Sequence, residues 1–384
     1  GWASRFGFKG MVVDEAHFIK NKESQRSRNV QSIAAAIRAR QVQPLLIALT
    51  GTPLINQIED FRMIWRFLGW IDDERPTGAL MSKLESLGLT PADPGFFPEA
   101  RQSVIDMGIV RRRKADVAKD IPARRIADIP VELDDEMGRS IRESEIALTK
   151  RLIERYDRII AGRGIVMTDV DLDIVRLVAT SEVEEAKQSK TEDNVFAMVR
   201  RIGQAKATLA ADYTVQLAQN VGKVVFFAKH IDVMDVAEAH FAKAGLRTTS
   251  IRGDQSAAAR TAAIDDFTND PEVQVIVCSL TAAGVGINLQ VASNVVLAEL
   301  SWTSAEQTQA IDRVHRIGQE MPVTAWRIIA AQTIDAKIAE LIDSKRGLAA
   351  RALEGEEIEA GSQDSIQLDA LVHILTRAIS TQYA

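Results

Sequence analysis

The sequence predicts an α/β protein in which two parallel-sheet regions are separated by a run of helices, and three observations carry that reading. Short apolar runs, Met11–Val13 and Pro44–Leu49, end in polar loops, as buried parallel strands do. From Gly222 onward, strand-like and helix-like stretches alternate, the pattern of a parallel sheet covered on both faces. Between them, Asp134 to about Asn220 carries helical periodicity broken only by Gly162–Gly164 and the polar run Glu184–Asp193. At 384 residues, and about 150 residues per domain, the chain holds two or three domains. The expected divisions are 1–130, a first sheet region; 131–220, a helical insertion or hinge; 221–345, a second sheet region; and 346–384, a C-terminal helix with an acidic tail.

In order, the first strand runs into Asp14 and Glu15, at the carboxyl end where open α/β sheets place ligands. Asp14 is placed to hold a magnesium ion, and Glu15 to orient or deprotonate an attacking water. Solvated loop carboxylates read the same way in isolation, and His17 alone reads as packing or capping. Asn29–Arg40 is helix-like, and the second strand leads into Thr50, Gly51, Thr52 and Pro53. Hydroxyls beside a Gly at a strand end bond either backbone or phosphate. Ile58–Trp70 repeats apolar residues at helical spacing and is assigned to core. Asp72–Pro98, with Pro76, Pro91, Pro94, Gly95 and Pro98, is a loop-dominated excursion.

The second sheet region is expected to place strands at Lys223–Ala228, Arg247–Ile251, Val273–Ser279, Asn294–Ala298 and Val323–Ile329. Helices are expected at Val233–Ala244, Ala257–Thr268, Thr333–Leu353 and Ile366–Ile379. Within it, Ser279–Leu289 reads SLTAAGVGINL: Gly284 and Gly286 permit close backbone approach, and Thr281 and Asn288 supply polar contacts. The run QAIDRVHRIGQ, Gln309–Gln319, has no Pro and no Gly before Gly318 and is expected to be helical. Gln309, Arg313 and Arg316 then share one face, with Ile311, Val314 and Ile317 anchoring the other. Two rigidly held guanidiniums suit phosphate oxygens, since Arg stays charged and offers forked donors.

Composition, 46% hydrophobic and 26% charged, is that of an ordinary globular chain. The net charge of −6 equals the six acidic residues of the segment Glu354–Asp369, which has no Lys or Arg, so the remainder is neutral. Arg101–Arg125 holds eight basic and three acidic residues, with Arg111, Arg112, Arg113 and Lys114 together, and suits a polyanion such as a DNA backbone. The single cysteine, Cys278, cannot form an internal disulfide, which points to a reducing compartment. No apolar run approaches the roughly 20 residues needed to cross a bilayer, and no membrane partner is expected.

Taken in order, VVDEAHFIKN, LTGTPLIN, FFAKHIDVMDVAEAHF, IRGDQSAAAR, SLTAAGVGINL and QAIDRVHRIGQ resemble the Swi/Snf family, double-stranded-DNA-translocating ATPases of helicase superfamily two. The resemblance covers most of residues 10–345. It implies two RecA-like lobes with ATP between them, Asp14 and Glu15 handling magnesium and water, and Arg313 and Arg316 as arginine fingers. It further implies nucleotide coupling by His17, Thr50, Gly51, Thr52, Gly284, Gly286 and Gln309. DNA contact would fall to Gly253, Asp254, Thr281 and Asn288 beside Arg111–Lys114. The wording TGTP and HRIGQ differs from that of DEAD-box RNA helicases, and VVLAELSW, Val295–Trp302, looks more like the branch containing annealing helicases than like nucleosome remodellers.

One departure is large. No GxxxxGK[ST] occurs anywhere, and the family carries that phosphate-cradling loop upstream of the Asp-Glu pair, where only 13 residues stand. The expectation is therefore the C-terminal part of a translocase acting on double-stranded or forked DNA, its first lobe truncated and partnered by its own upstream half, inactive toward ATP alone. It would work in the cytoplasm of a bacterial or viral host, or in a eukaryotic nucleus. The competing readings are a non-catalytic DNA-binding scaffold and a strand-separating helicase.

Overall fold

The computed structural model describes residues 6–19, 21–50, 62–69, 71–72, 75–76, 121–163, 170–188, 194–280, 287–302, 304–352 and 363–383. By internal contacts the chain divides into two units: Gly1–Val117 with Glu359–Ser362, and Ala118–Ile358 with Gln363–Ala384. The sites expected at Gly51, Thr52, Arg111–Lys114, Thr281, Gly284 and Gly286 lie outside the described residues, as does the side chain of His17.

In the first unit, strand β1 (Gly10–Val13) pairs in parallel with β2 (Leu45–Ala48), Val12 opposite Ile47. Helix α1 (Gln25–Arg40) starts where Ser24 Oγ accepts the Ser27 N–H at 3.1 Å, a side-chain N-cap. Helix α2 (Arg62–Leu68) ends under α1, whose Gln31 and Arg38 side chains each donate at 2.6 Å to the carbonyls of Met63 and Phe67. These elements bury Val13, Ala16, Ile19, Ala34, Ile64 and Phe67. A short antiparallel ladder, β3 (Ile71–Asp72) with β4 (Arg75–Pro76), follows. The expectation of fully buried strands holds for only one face of this sheet. Val12 is 56% exposed and Leu45 63%, because the core helices lie on the Val13 side.

The second unit is built on a six-stranded, all-parallel sheet in the order β5-β10-β9-β6-β8-β7. Its strands are β5 (Arg124–Val131), β6 (Val224–Ala228), β7 (Arg247–Ile251), β8 (Val273–Ser279), β9 (Asn294–Leu297) and β10 (Val323–Ala330). Side chains alternate between two cores. Val225, Phe227, Ile276, Cys278, Val295 and Leu297 face one, while Val224, Phe226, Val275, Val277 and Val296 face the other. In β6, β8 and β9 both faces are buried, which is why these central strands read as apolar runs. The edge strand β5 comes from before the helical stretch, within the span assigned to the first sheet region by sequence. It joins this sheet by an eight-residue register with β10, and Arg327 on β10 forms a double carboxylate fork with Asp128 of β5 and Asp343.

Helices α3 (Glu136–Arg163), α4 (Leu172–Gln188) and α5 (Val195–Val221) fill the helical stretch as expected. They do not stand apart as a hinge. With α9 (Ile334–Ala352) and α10 (Gln363–Tyr383) they enclose a third core containing Leu152, Tyr156, Val178, Ile202, Ile338, Leu371 and Leu375. Helices α6 (Ile231–Lys243) and α7 (Ala257–Asn269) cover opposite sheet faces, and α8 (Ser304–Ile311) lies on the α7 side. Helix α5 spans both systems, giving Met198 and Ile202 to the helical core and Ala207, Ala210 and Ala218 to the sheet. Between these sets, buried Lys206 Nζ donates to the Ile328 carbonyl at 2.6 Å and to Asp335 Oδ2 at 2.5 Å. Among the described residues, no helix is long and apolar enough to cross a membrane.

Two outcomes are expected. Lys206→Ala strands the Asp335 carboxylate and should cost about 3–5 kcal/mol in chemical denaturation, with much of the loss restored in Lys206→Met/Asp335→Leu. On α10, burial, Lys337 and Arg377 hold His373 below its ordinary pKa of 6.5, against a smaller opposing pull from Glu340. The unfolded chain therefore binds that proton first, so α10 docking weakens as pH falls from about 6.5 through the folded value. Thermal melts at stepped pH should show this loss, and His373→Gln should flatten it.

Candidate functional site

The Asp-Glu pair stands at the carboxyl end of β1. Leu49 N donates to the Val13 carbonyl and Ala16 N to the Leu49 carbonyl, both at 2.8 Å, so the ends of the two strands are tied together. This places Asp14 and Glu15 beside Leu49–Thr50. Asp14 is exposed, and its Oδ1 accepts the Glu15 N–H at 2.9 Å. Glu15 takes φ of 50°, a left-handed conformation that costs a non-glycine residue on the order of 1 kcal/mol or more and that gathers at functional sites. An exposed carboxylate at a strand end matches how Mg²⁺ is held, through one or two carboxylates with water and phosphate making up the rest. Among the described residues no group of three metal-ligating side chains occurs, so nothing here resembles an all-protein cage.

In the second unit the arginine run departs from its expected form. Helix α8 ends at Ile311, and residues 312–318 form consecutive turns. Short-range backbone bonds largely replace the helical ladder: Arg313 N to the Ala310 carbonyl at 3.1 Å, Val314 N to Ile311 at 3.0 Å and Arg316 N to Val314 at 3.2 Å, with one helical bond left from His315 N to Ile311 at 2.9 Å. Gly318 closes the turn at φ +96°, open to glycine at little cost. Gln309 therefore sits on the helix while Arg313 and Arg316 sit on a turn, and the shared helical face does not form. Val314 is buried as expected, but Ile317 is 75% exposed and anchors nothing.

The turn is held from outside its own sequence. Arg313 O accepts the Leu289 N–H at 2.9 Å, and Arg316 Nη1 donates to the Ile287 carbonyl at 3.1 Å. Buried Gln319 spans the gap. Its Nε2 lies within bonding distance of the Gln290, Ala292 and Val314 carbonyls, and its Oε1 accepts the Met321 N–H at 2.9 Å. Arg313, Arg316 and exposed Asn288 thus come together at the amino-terminal edge of the sheet, where β9 and β10 begin. Gly253 and Asp254 lie elsewhere, exposed in the loop after β7 at the opposite, carboxyl edge. Gln255 and Arg260 fix that loop, Arg260 Nη2 donating to the Gly253 carbonyl at 2.8 Å.

Sequence reasoning missed a second polar cluster at that carboxyl edge. Buried Glu299, just past β9, accepts the Lys229 and His230 N–H groups at 2.7 and 2.9 Å and meets His230 Nδ1 at 2.6 Å. A Cβ at position 203 would fall 2.4 Å from Glu299 Oε1. Gly203 inside α5, where glycine costs about 1 kcal/mol, was the available signal.

Comparison with known proteins places this geometry. The SNF2-related domain family matches residues 3–73 and the helicase conserved C-terminal domain family residues 205–318. Together the two matches make the chain similar to Swi/Snf-family, superfamily-two helicase-like proteins. An uncharacterized ATP-dependent helicase of Mycoplasma genitalium is 27% identical over 354 residues, covering 92% of this chain and 31% of that protein. The human DNA annealing helicase and endonuclease ZRANB3 is 26% identical over 379 residues, 95% of this chain and 32% of the human protein. The Arabidopsis thaliana helicase-like transcription factor CHR27 is 34% identical over 157 residues, 41% of this chain and 15% of its own length. The chain spans about a third of the length of the first two relatives. Asp14, Glu15 and Thr50 fall inside the SNF2-related match, and Gly253, Asp254, Asn288, Gln309, Arg313 and Arg316 inside the helicase match, while Arg111–Lys114 fall in neither.

Because Gln319 serves several backbone groups at once, Gln319→Leu should expose residues 287–292 and 312–319 together. Hydrogen exchange of both segments should accelerate by roughly tenfold or more, the scale of 1–3 kcal/mol for unsatisfied buried groups.

Proposed function

We propose that this Swi/Snf-like chain is the C-terminal portion of an ATP-dependent translocase acting on double-stranded or forked DNA. The observation that carries the reading is the turn bearing Arg313 and Arg316. Two permanent cations sit on a backbone fixed by Gln319 and by segment 287–292 rather than on a freely moving surface helix. Preorganised guanidiniums stabilise the charge that spreads over a transferring phosphoryl group without having to be ordered first.

In this proposal Arg313 and Arg316 act as arginine fingers, Glu15 orients the attacking water, and Asp14 holds magnesium. Magnesium, when bound, would neutralise charge on the phosphate oxygens and so favour departure of the diphosphate leaving group. Thr50, Gly51, Thr52, His17, Gly284, Gly286 and Gln309 couple the nucleotide to the protein. Arg111–Lys114, Gly253, Asp254, Thr281 and Asn288 are assigned to the DNA. Asp254 is exposed and anionic, so its part there is to shape the loop, while the neighbouring backbone approaches phosphate. Absence of a GxxxxGK[ST] from residues 1–384 supports assigning hydrolysis to a longer protein, and the exposed Val12, Leu45 and Ile47 face of β1–β2 supports a further layer packing there, the upstream half of the first lobe.

The absent phosphate loop also favours a second reading, a DNA-binding scaffold without turnover. In the longer protein, Arg316→Ala should lower DNA-stimulated ATP hydrolysis by roughly 10³-fold or more, as loss of an arginine finger does. An unchanged rate ends the translocase assignment, and DNA binding with a steep salt dependence but no nucleotide effect would establish the scaffold.

A further inference from the structure

The turn carrying Arg313 and Arg316 is fastened to the chain that leads into the second sheet. His315 Nε2 lies 2.7 Å from the Pro122 carbonyl oxygen. A carbonyl only accepts, so the ring carries its proton on Nε2 there. Two residues on, Arg124 Nη1 donates to Asp312 Oδ1 at 3.1 Å. Between them, the Ala123 carbonyl accepts the Val323 N–H at 3.0 Å. Three consecutive residues therefore each hold a point on the segment 312–323, across a separation of nearly 200 positions.

Strand β5 does not need these bonds to stay in place. Its full length is registered on β10, and Arg327 clamps Asp128 from the strand beyond. The contacts of Pro122 and Arg124 reach past the strand to the turn, where a single helical bond, His315 N to the Ile311 carbonyl, remains and Ile317 is exposed. The boundary between the two units falls after Val117, a short way upstream of Pro122. Residues 122–124 thus meet the arginine turn where the chain enters the sheet.

We propose that His315 and Asp312 are positioning residues that tie the arginine turn to the segment at 122–124, so that the placement of Arg313 and Arg316 is set by that segment as well as by 287–292. The catalytic consequence rests on the ATPase reading above, and the geometry does not. Neither side chain needs to touch substrate. Each acts through the turn, His315 by a donated hydrogen bond and Asp312 by its ion pair.

Hydrogen exchange on the full chain tests the tie without any activity. His315→Leu removes the donor, and His315→Gln keeps an amide N–H near the same place. Amides of 312–319 should exchange about fivefold faster in His315→Leu, the scale of one net hydrogen bond, with β5 and β10 unchanged and His315→Gln close to the original. Arg124→Asp should loosen the same amides, and Arg124→Asp/Asp312→Arg should restore them. Unchanged exchange of 312–319 in both single variants overturns the proposal, as does equal loosening of β5 and β10, which would make these contacts strand staples. In the longer protein, His315→Leu should lower kcat with KM for ATP and the thermal midpoint unchanged. Loosened exchange with full kcat overturns the positioning role and leaves the translocase reading to Arg316→Ala. A longer protein with no turnover at all ends that reading, while exchange still decides the tie.

Discussion

The buried ion pair of Lys206 with Asp335 is the constraint on which the second unit depends. It sits where α5, β10 and α9 meet, and each charge is satisfied more than once: Lys206 reaches the Ile328 carbonyl, and Asp335 Oδ2 also accepts the Ala330 N–H at 3.0 Å. Such a pair adds little net stability over apolar residues of the same size, because desolvation offsets the attraction. What it does is exclude alternatives, since any slip of α5 along the sheet or of α9 along β10 would bury an unpaired charge. Two apolar cores, each tolerant of sliding, are thereby held in one register.

From that register follows the division of the second sheet into two working edges. The carboxyl edge carries the Gly253–Asp254 loop and Glu299, whose carboxylate binds the N–H groups that open α6. The amino edge carries Asn288, Arg313 and Arg316, held by backbone bonds from segment 287–292 and by Gln319. Leu280, near the carboxyl edge, and Ile287, Leu289 and Ala292, near the amino edge, are buried in one core of that sheet. The two sets of candidate residues therefore share a rigid support although they do not share a surface.

The fold was legible wherever the pattern was local. Val273–Ser279 takes the expected bounds because both its faces are buried, and Arg247–Ile251 because its β-branched residues pair along one edge and polar loops set its ends. The Gln309–Gln319 run misled for an equally local reason, since it lacks helix breakers before Gly318. The helix stops at Ile311 and the chain beyond it bonds to partners distant in sequence: the Arg313 carbonyl accepts the Leu289 N–H, and the Arg316 and Gln319 side chains donate to carbonyls of 287–292. The acidic stretch and its following helix gave no hint that α10 would close a core with α3, α4 and α9, because an amphipathic face does not name its partner.

By itself the sequence determined the α/β class, the order of the strands from Lys223 onward and of most helices between them, the motif set that resembles the Swi/Snf family, and the identity of the charged residues available for chemistry. Periodicity, chain breakers and side-chain type act over a few residues, and those signals survive in one dimension. Only the tertiary structure decided that β5 belongs to the second sheet, that Arg313 and Arg316 ride on a turn, and that Lys206, Gln319, Glu299 and His315 find their partners. Each of these depends on a polar group meeting another far along the chain, where nothing in the local pattern distinguishes it from a solvated one. Burial is what makes the match obligatory, and burial exists only once the sheet and its helices have closed.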